Sequence, residues 1–157
     1  MDPTRQLLRH TVATLAYRAD RTLRGAPEGF ASFQAGQGAR TPVEILAHVS
    51  DLFDWALSIA RGQEQWGRSA PLAWNDEVRR FFAALEAFDG YLGSGSPLHA
   101  SAEKLFQAPI ADALTHIGQI ALLRRLAGAP VRAENYYVAK IATGSVGAEQ
   151  PDPVFEF

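Results

Sequence analysis

From Pro3 to about Arg24, apolar residues return at intervals of three and four: Leu8, Val12, Leu15, Ala19 and Leu23 fall on one stripe. That is the period of a helix burying one face. Gly25, Pro27 and Gly29 end it, and the following "GFASFQAGQGAR" has no period, which predicts a surface connection. "TPVE" then marks the start of a second helix, expected over 42–61, with Thr41 as cap, Pro42 in the first turn and Glu44 placed to bond back. Along it Ile45, His48, Leu52, Trp55, Ala56 and Ile59 share a face, while Asp54, Ser58 and Arg61 lie elsewhere. His48 is therefore expected within the apolar stripe.

A third helix is expected over 75–92, with Val78, Phe81, Leu85, Phe88 and Leu92 inward and Arg79, Arg80, Glu86 and Asp89 outward. "GSGSP" ends it. A fourth is expected over 109–127, between Pro109 and Gly128. Residues 128–157 have no period, but Tyr136, Tyr137, Val138, Ile141 and Phe155 predict a tail wrapped on the rest. There is no hairpin signal or internal repeat. The pattern predicts an all-α chain, a single domain over 1–157 built as a four-helix bundle with an irregular C-terminal tail. The long first and second connections allow one of them to run the length of the bundle, in an up-down-down-up order.

At 157 residues the chain can bury a core without covalent staples. The absence of cysteine excludes disulfides, thiolate ligands and a thiol nucleophile, so thiol chemistry would need a sulfur brought by the substrate. A net charge of -2, from 15 basic and 17 acidic residues, leaves no footprint for nucleic acid or an anionic membrane. A small-molecule or protein partner is expected instead. "MDPTRQLLRH" lacks the apolar run of a secretory signal and no stretch is long enough to span a bilayer, so a cytoplasmic location is expected.

The fourth helix carries the candidate chemistry. Asp112, His116, Gln119 and Leu123 fall in one sector, and with Arg124 and Arg125 assigned to the water side, Asp112 and His116 are expected inward. Residues i and i+4 lie about 6 Å apart at Cβ, so a carboxylate oxygen and an imidazole nitrogen can share one cation about 2 Å from each. His48 can supply a third ligand from the second helix. Two histidines and a carboxylate serve both catalytic zinc and non-haem iron, leaving positions open for water or substrate. Each residue also has an ordinary explanation: Asp112 could face the helix dipole in a first turn, and a core histidine is commonly neutral and hydrogen-bonded. Trp55, Gln119, Asn135 and Tyr136 are candidates for a substrate pocket; Trp55, Trp66 and Trp74 could line one for an apolar substrate, but buried tryptophan is more often core, and "ENYY" more commonly anchors a tail. His10 and His99 are expected in solvent. No residue is singled out as catalytic.

With His48 in "ILAHVSDLFDW", the run "HIGQIALLRRLAG" and a bundle order over most of residues 1–128, the chain resembles the DinB/YfiT-like metalloenzymes. That family's fourth helix usually has a histidine pair spaced H-x-x-x-H followed by Arg-Gly-Gln, both ligands together with a second-helix histidine. His116, Gly118 and Gln119 match the second half of this pattern, and His48 matches the second-helix ligand. Asp112 stands where the first histidine is usual, and Ile117 where the arginine is. The resemblance implies a divalent cation (zinc, nickel or iron, zinc favoured) and a thiol-dependent transferase or isomerase acting with a low-molecular-weight thiol, or a hydrolase using water. The alternative is a non-catalytic association module with a degenerate metal site. It draws on Ile110, Leu114, Ile117 and Ala121, expected on an outward face of the fourth helix. A homodimer through that face is expected under either reading.

Overall fold

The computed structural model describes residues 2–157. They form helices α1 (Pro3–Leu23), α2 (Pro42–Ala60), α3 (Trp74–Gly93), α4 (Ala102–Leu105) and α5 (Ala111–Leu126). Single 3-10 turns occur at Phe30–Ser32 and Tyr136–Val138, and a π turn at Phe106–Ile110 joins α4 to α5. Among the described residues there is no strand, only an isolated bridge between Glu134 and Glu156. The all-α expectation holds, and among the described residues no helix is long and apolar enough to cross a membrane.

The long helices pack around one core in the cyclic order α1, α3, α2, α5. Their directions follow from the residues that meet. Arg9 near the start of α1 pairs with Asp89 near the end of α3, so these two are antiparallel. Leu8 lies with Phe106 and Thr22 with Arg124, so α1 and α5 are parallel. His48 faces Asp112 and His116 while Ile45 lies with Leu126, so α2 and α5 are antiparallel. Val12, Leu15, Leu46, Phe53, Phe81, Leu85, Phe88 and Ile120 are wholly buried between them. The stripe expected on α1 is the stripe that is buried.

The helix starts are those the sequence encodes. Asp2 caps α1 by accepting from the Thr4 and Arg5 amides at 3.3 and 3.4 Å. Thr41 and Glu44 form the reciprocal box on α2: Glu44 Oε2 accepts from the Thr41 amide at 2.7 Å, and Thr41 Oγ1 from the Glu44 amide at 3.4 Å.

The fourth helix differs from expectation in start and rotation. Helical structure begins at Ala102, where Ser101 caps the Lys104 amide, rather than at Pro109. Pro109 has no N–H to return to the preceding turn, and the chain widens there: the Ala111 amide reaches back to the Phe106 carbonyl, five residues away. Beyond it, Ile110, Ala113, Ile117, Ile120 and Arg124 face inward. The face on which association was argued therefore lies largely in the core, with Ile110 and Ile117 buried. Asp112 and His116 are not core residues but sit half-buried in the groove against α2.

Arg124, expected in water, is buried because it has a purpose-built set of acceptors. Its guanidinium donates to the carbonyls of Thr22, Arg24, Gly25 and Ala129 at 3.0, 2.9, 3.3 and 2.9 Å. Three of those carbonyls end or follow α1 and have no intrahelical partner. Arg80 and Asp89 also turn inward, against expectation: Asp89 binds Arg9, and Arg80 bridges Asp51, Asp54 and Glu77 across the α2/α3 seam. The tail is anchored by some of the residues expected, Tyr136 packing on Tyr17 and Ile141 on the core, and by others besides. Tyr137 and Phe155 are exposed, whereas Glu134, Val146 and Gln150 are buried, with the buried Tyr17 hydroxyl donating to Glu134 Oε1 at 2.5 Å.

Candidate metal centre

His48 projects from the first half of α2, and Asp112 and His116 from successive turns of α5. Because the two helices are antiparallel neighbours, the three side chains meet across the groove. Asp112 divides its oxygens, Oδ1 lying 3.4 Å from His116 Nε2 and Oδ2 lying 3.6 Å from His48 Nε2. The imidazoles stand edge to face with centroids 4.7 Å apart, and one ligand atom from each of the three residues can be chosen so that all lie within 4.8 Å of one another.

These separations are compatible with a cation between the three side chains. They exceed the range of about 2.7–3.2 Å for an N–H···O bond. Ligands about 2.1 Å from a tetrahedral cation stand roughly 3.4 Å apart. The residues present therefore fit a divalent cation: two imidazoles and a carboxylate are a borderline-hard donor set suited to zinc, iron or nickel. The dipole explanation for Asp112 also weakens, since Ile110 ahead of α5 is itself helical and α4 and the π turn precede it.

The environment prepares both imidazoles. His116 Nδ1 lies 2.9 Å from Gln119 Oε1. With Gln119 Oε1 accepting, Nδ1 would be the donor and Nε2 the atom that faces Asp112. Burial pushes the His48 pKa below its ordinary value, the neighbouring His116 adds to this, and Asp112 opposes both. His48 is thus neutral near pH 7 and available as a ligand.

The centre is open to solvent. A cavity of about 510 Å³ opens on one side of His48, lined by Arg40, Glu44, Asp51, Trp66 and Arg68 among others. A second, of about 590 Å³, runs past His116 and Gln119 along Ile45, Leu122 and Leu126. Trp55 borders a third cleft with Asp112. Of the expected pocket residues, Trp55 and Gln119 are therefore beside the centre. Asn135 and Tyr136 are not: the tail returns along α1, where Tyr136 packs on Tyr17 and lies under Arg18, and Asn135 caps its own turn at the Tyr137 amide. His10 and His99 are exposed, as expected.

One wall went unread in the sequence, the exposed connection 61–73. It leaves α2 at Gly62, whose φ of 73° and whose position, with a Cβ falling 2.8 Å from the His99 ring, admit only glycine. Side chains of α2 and α3 then tie it down. Ser58 Oγ accepts from the Gln65 amide at 3.0 Å, Asp51 Oδ2 from Ser69 at 2.9 Å and Glu77 Oε2 from Leu72 at 3.0 Å. The result is a strap that sets Trp66 against both His48 and Trp55, with centroids 5.9 and 5.5 Å apart. Trp66, a pocket or core candidate in the sequence, is the only signal of it.

No protein-family model, curated protein or solved structure matches the chain.

Proposed function

We propose that the protein is a divalent-metal-dependent enzyme of the DinB-like kind, its cation held by His48, Asp112 and His116. The observation that supports it best is the convergence of three ligand atoms from two helices within 4.8 Å of one another, with Gln119 Oε1 2.9 Å from His116 Nδ1. A cation bound there supplies Lewis acidity, lowering the pKa of a thiol or water delivered to it. The chain's residues do the rest. His48 and His116 offer ring nitrogens, Asp112 offsets one positive charge, and Trp66 covers one side of the His48 ring. The open clefts leave room for a thiol and an electrophile together, and with no cysteine of its own the chain would use a low-molecular-weight thiol as co-substrate. Transfer to that thiol, or isomerisation through it, is the reaction class that the resemblance and the site jointly favour.

The test is elemental analysis of untagged protein beside the His48→Ala and His116→Ala variants. One zinc, iron or nickel per chain, lost in both variants, is the expected result. Substoichiometric metal that neither substitution changes would remove the proposal.

A further inference from the structure

A cation accounts for His48, Asp112 and His116 but not for two arginines beside them. Arg40 precedes the Thr41 cap and Arg68 lies on the strap, and both line the cavity that opens at His48. Of the acids on the same wall, Asp51 uses both oxygens and Glu44 one. Glu44 Oε2 accepts from the Thr41 amide and, at 2.9 Å, from the Thr41 hydroxyl; Asp51 accepts from the Ser69 amide and from Arg80. The Arg40 and Arg68 guanidiniums, in contrast, make no hydrogen bond or ion pair among the described residues. Both charges are felt on that wall. The Thr41 bonds chiefly hold the Glu44 pKa down, and the charges of Arg40 and Arg68 add to that effect. The charge of Arg40 is also felt at His48.

Two guanidinium forks on one cavity wall, neither hydrogen-bonded within the described chain, match a planar or tetrahedral oxyanion. The strap adds preorganisation, since the Ser69 amide next to Arg68 is fixed on Asp51. We propose that Arg40 and Arg68 bind an oxyanion, the carboxylate or phosphate of a substrate whose reacting end lies at the His48/Asp112/His116 centre. The placement of the reacting end rests on the metal reading above; oxyanion binding itself does not.

The experiment titrates inorganic phosphate and succinate separately, at constant ionic strength, into metal-free and zinc-treated full-length protein. Amide NMR shifts of Arg40, Arg68 and Ser69 are followed. Saturable shifts with at least one probe are expected. Affinity should fall at least about tenfold in the Arg40→Ala/Arg68→Ala double variant and stay unchanged in Arg125→Ala, an exposed arginine outside the cleft. Which probe saturates identifies carboxylate or phosphate as the source. Absence of saturation in both forms of the protein, or equal affinity in the double variant, overturns the proposal. Saturation without zinc uptake would sustain the oxyanion site while sinking the metal reading, and zinc uptake without saturation would do the reverse.

Discussion

Glu77 joins bundle stability to the shape of the site, and its replacement by alanine tests that link. Its carboxylate is wholly buried, accepting from Ser50 Oγ at 2.8 Å and Arg80 Nη1 at 3.2 Å on one oxygen and from the Leu72 amide at 3.0 Å on the other. After Glu77→Ala, Ser50 can still donate to the Leu46 carbonyl and Arg80 keeps Asp51 and Asp54, but the Leu72 amide has no acceptor. Removing one member of a buried charged set typically costs about 3–5 kcal/mol, and the retained partners of Arg80 place this case near about 3 kcal/mol. For a domain of this length that is roughly 6–12 °C in Tm. Glu77→Gln keeps the volume but turns an NH2 toward one group of donors, and should cost about 1–3 kcal/mol. Urea unfolding measures the loss, and hydrogen exchange at the Leu72 amide reports on the strap separately. A loss below about 1 kcal/mol in Glu77→Ala, with Leu72 exchanging as in the parent, would refute the argument that this carboxylate ties the strap to α3.

Other expectations are as direct. Zinc at about a hundredfold over its Kd should stabilise the protein by about 2.7 kcal/mol, seen as a rise in Tm that His116→Ala abolishes; a rise retained in the variant would place the ion elsewhere. Gln119→Ala should weaken metal affinity about tenfold to a hundredfold by freeing the His116 tautomer, and Gln119→Glu, which still accepts at Nδ1, should restore it. Arg124→Met should cost about 2–4 kcal/mol in urea unfolding, because the carbonyls at the end of α1 lose their donors. Burial alone would raise the Asp51 pKa, but the Ser69 amide and Arg80 more than offset it and hold the carboxyl below its ordinary value. Its contribution to stability is therefore present above the unfolded pKa of about 3.9 and lost as pH falls through the lower folded value. Asp51→Asn should flatten that acid limb in a pH series of thermal melts.

The sequence made legible whatever was local and periodic. The α1 stripe and the Thr41–Glu44 box are written in spacing and side-chain type, and the structure keeps them. The convergence of His48, Asp112 and His116 was legible because i,i+4 spacing fixes two of the three on any helix. The rotation of α5 was not, because the rule that keeps arginine in water fails when unpaired carbonyls await it, and those carbonyls lie about a hundred residues earlier in the chain. For the same reason Arg80 and Asp89 were turned outward: their partners are on other helices, invisible to a local pattern. The strap failed differently. It has no period at all, and its order comes from Ser58, Asp51 and Glu77, residues that a hydropathy pattern assigns to solvent.

The widened turn at Phe106–Ile110 governs which way everything downstream of it faces. Each residue in a regular helix advances the chain by about 100°, so deleting Gln107 to restore regular winding would swing Asp112 and His116 through roughly that angle, away from His48. The arrangement of His48, Asp112 and His116 thus depends on a single codon upstream, and loss or gain of that codon would part the three side chains while leaving the hydrophobic inventory of the chain almost untouched.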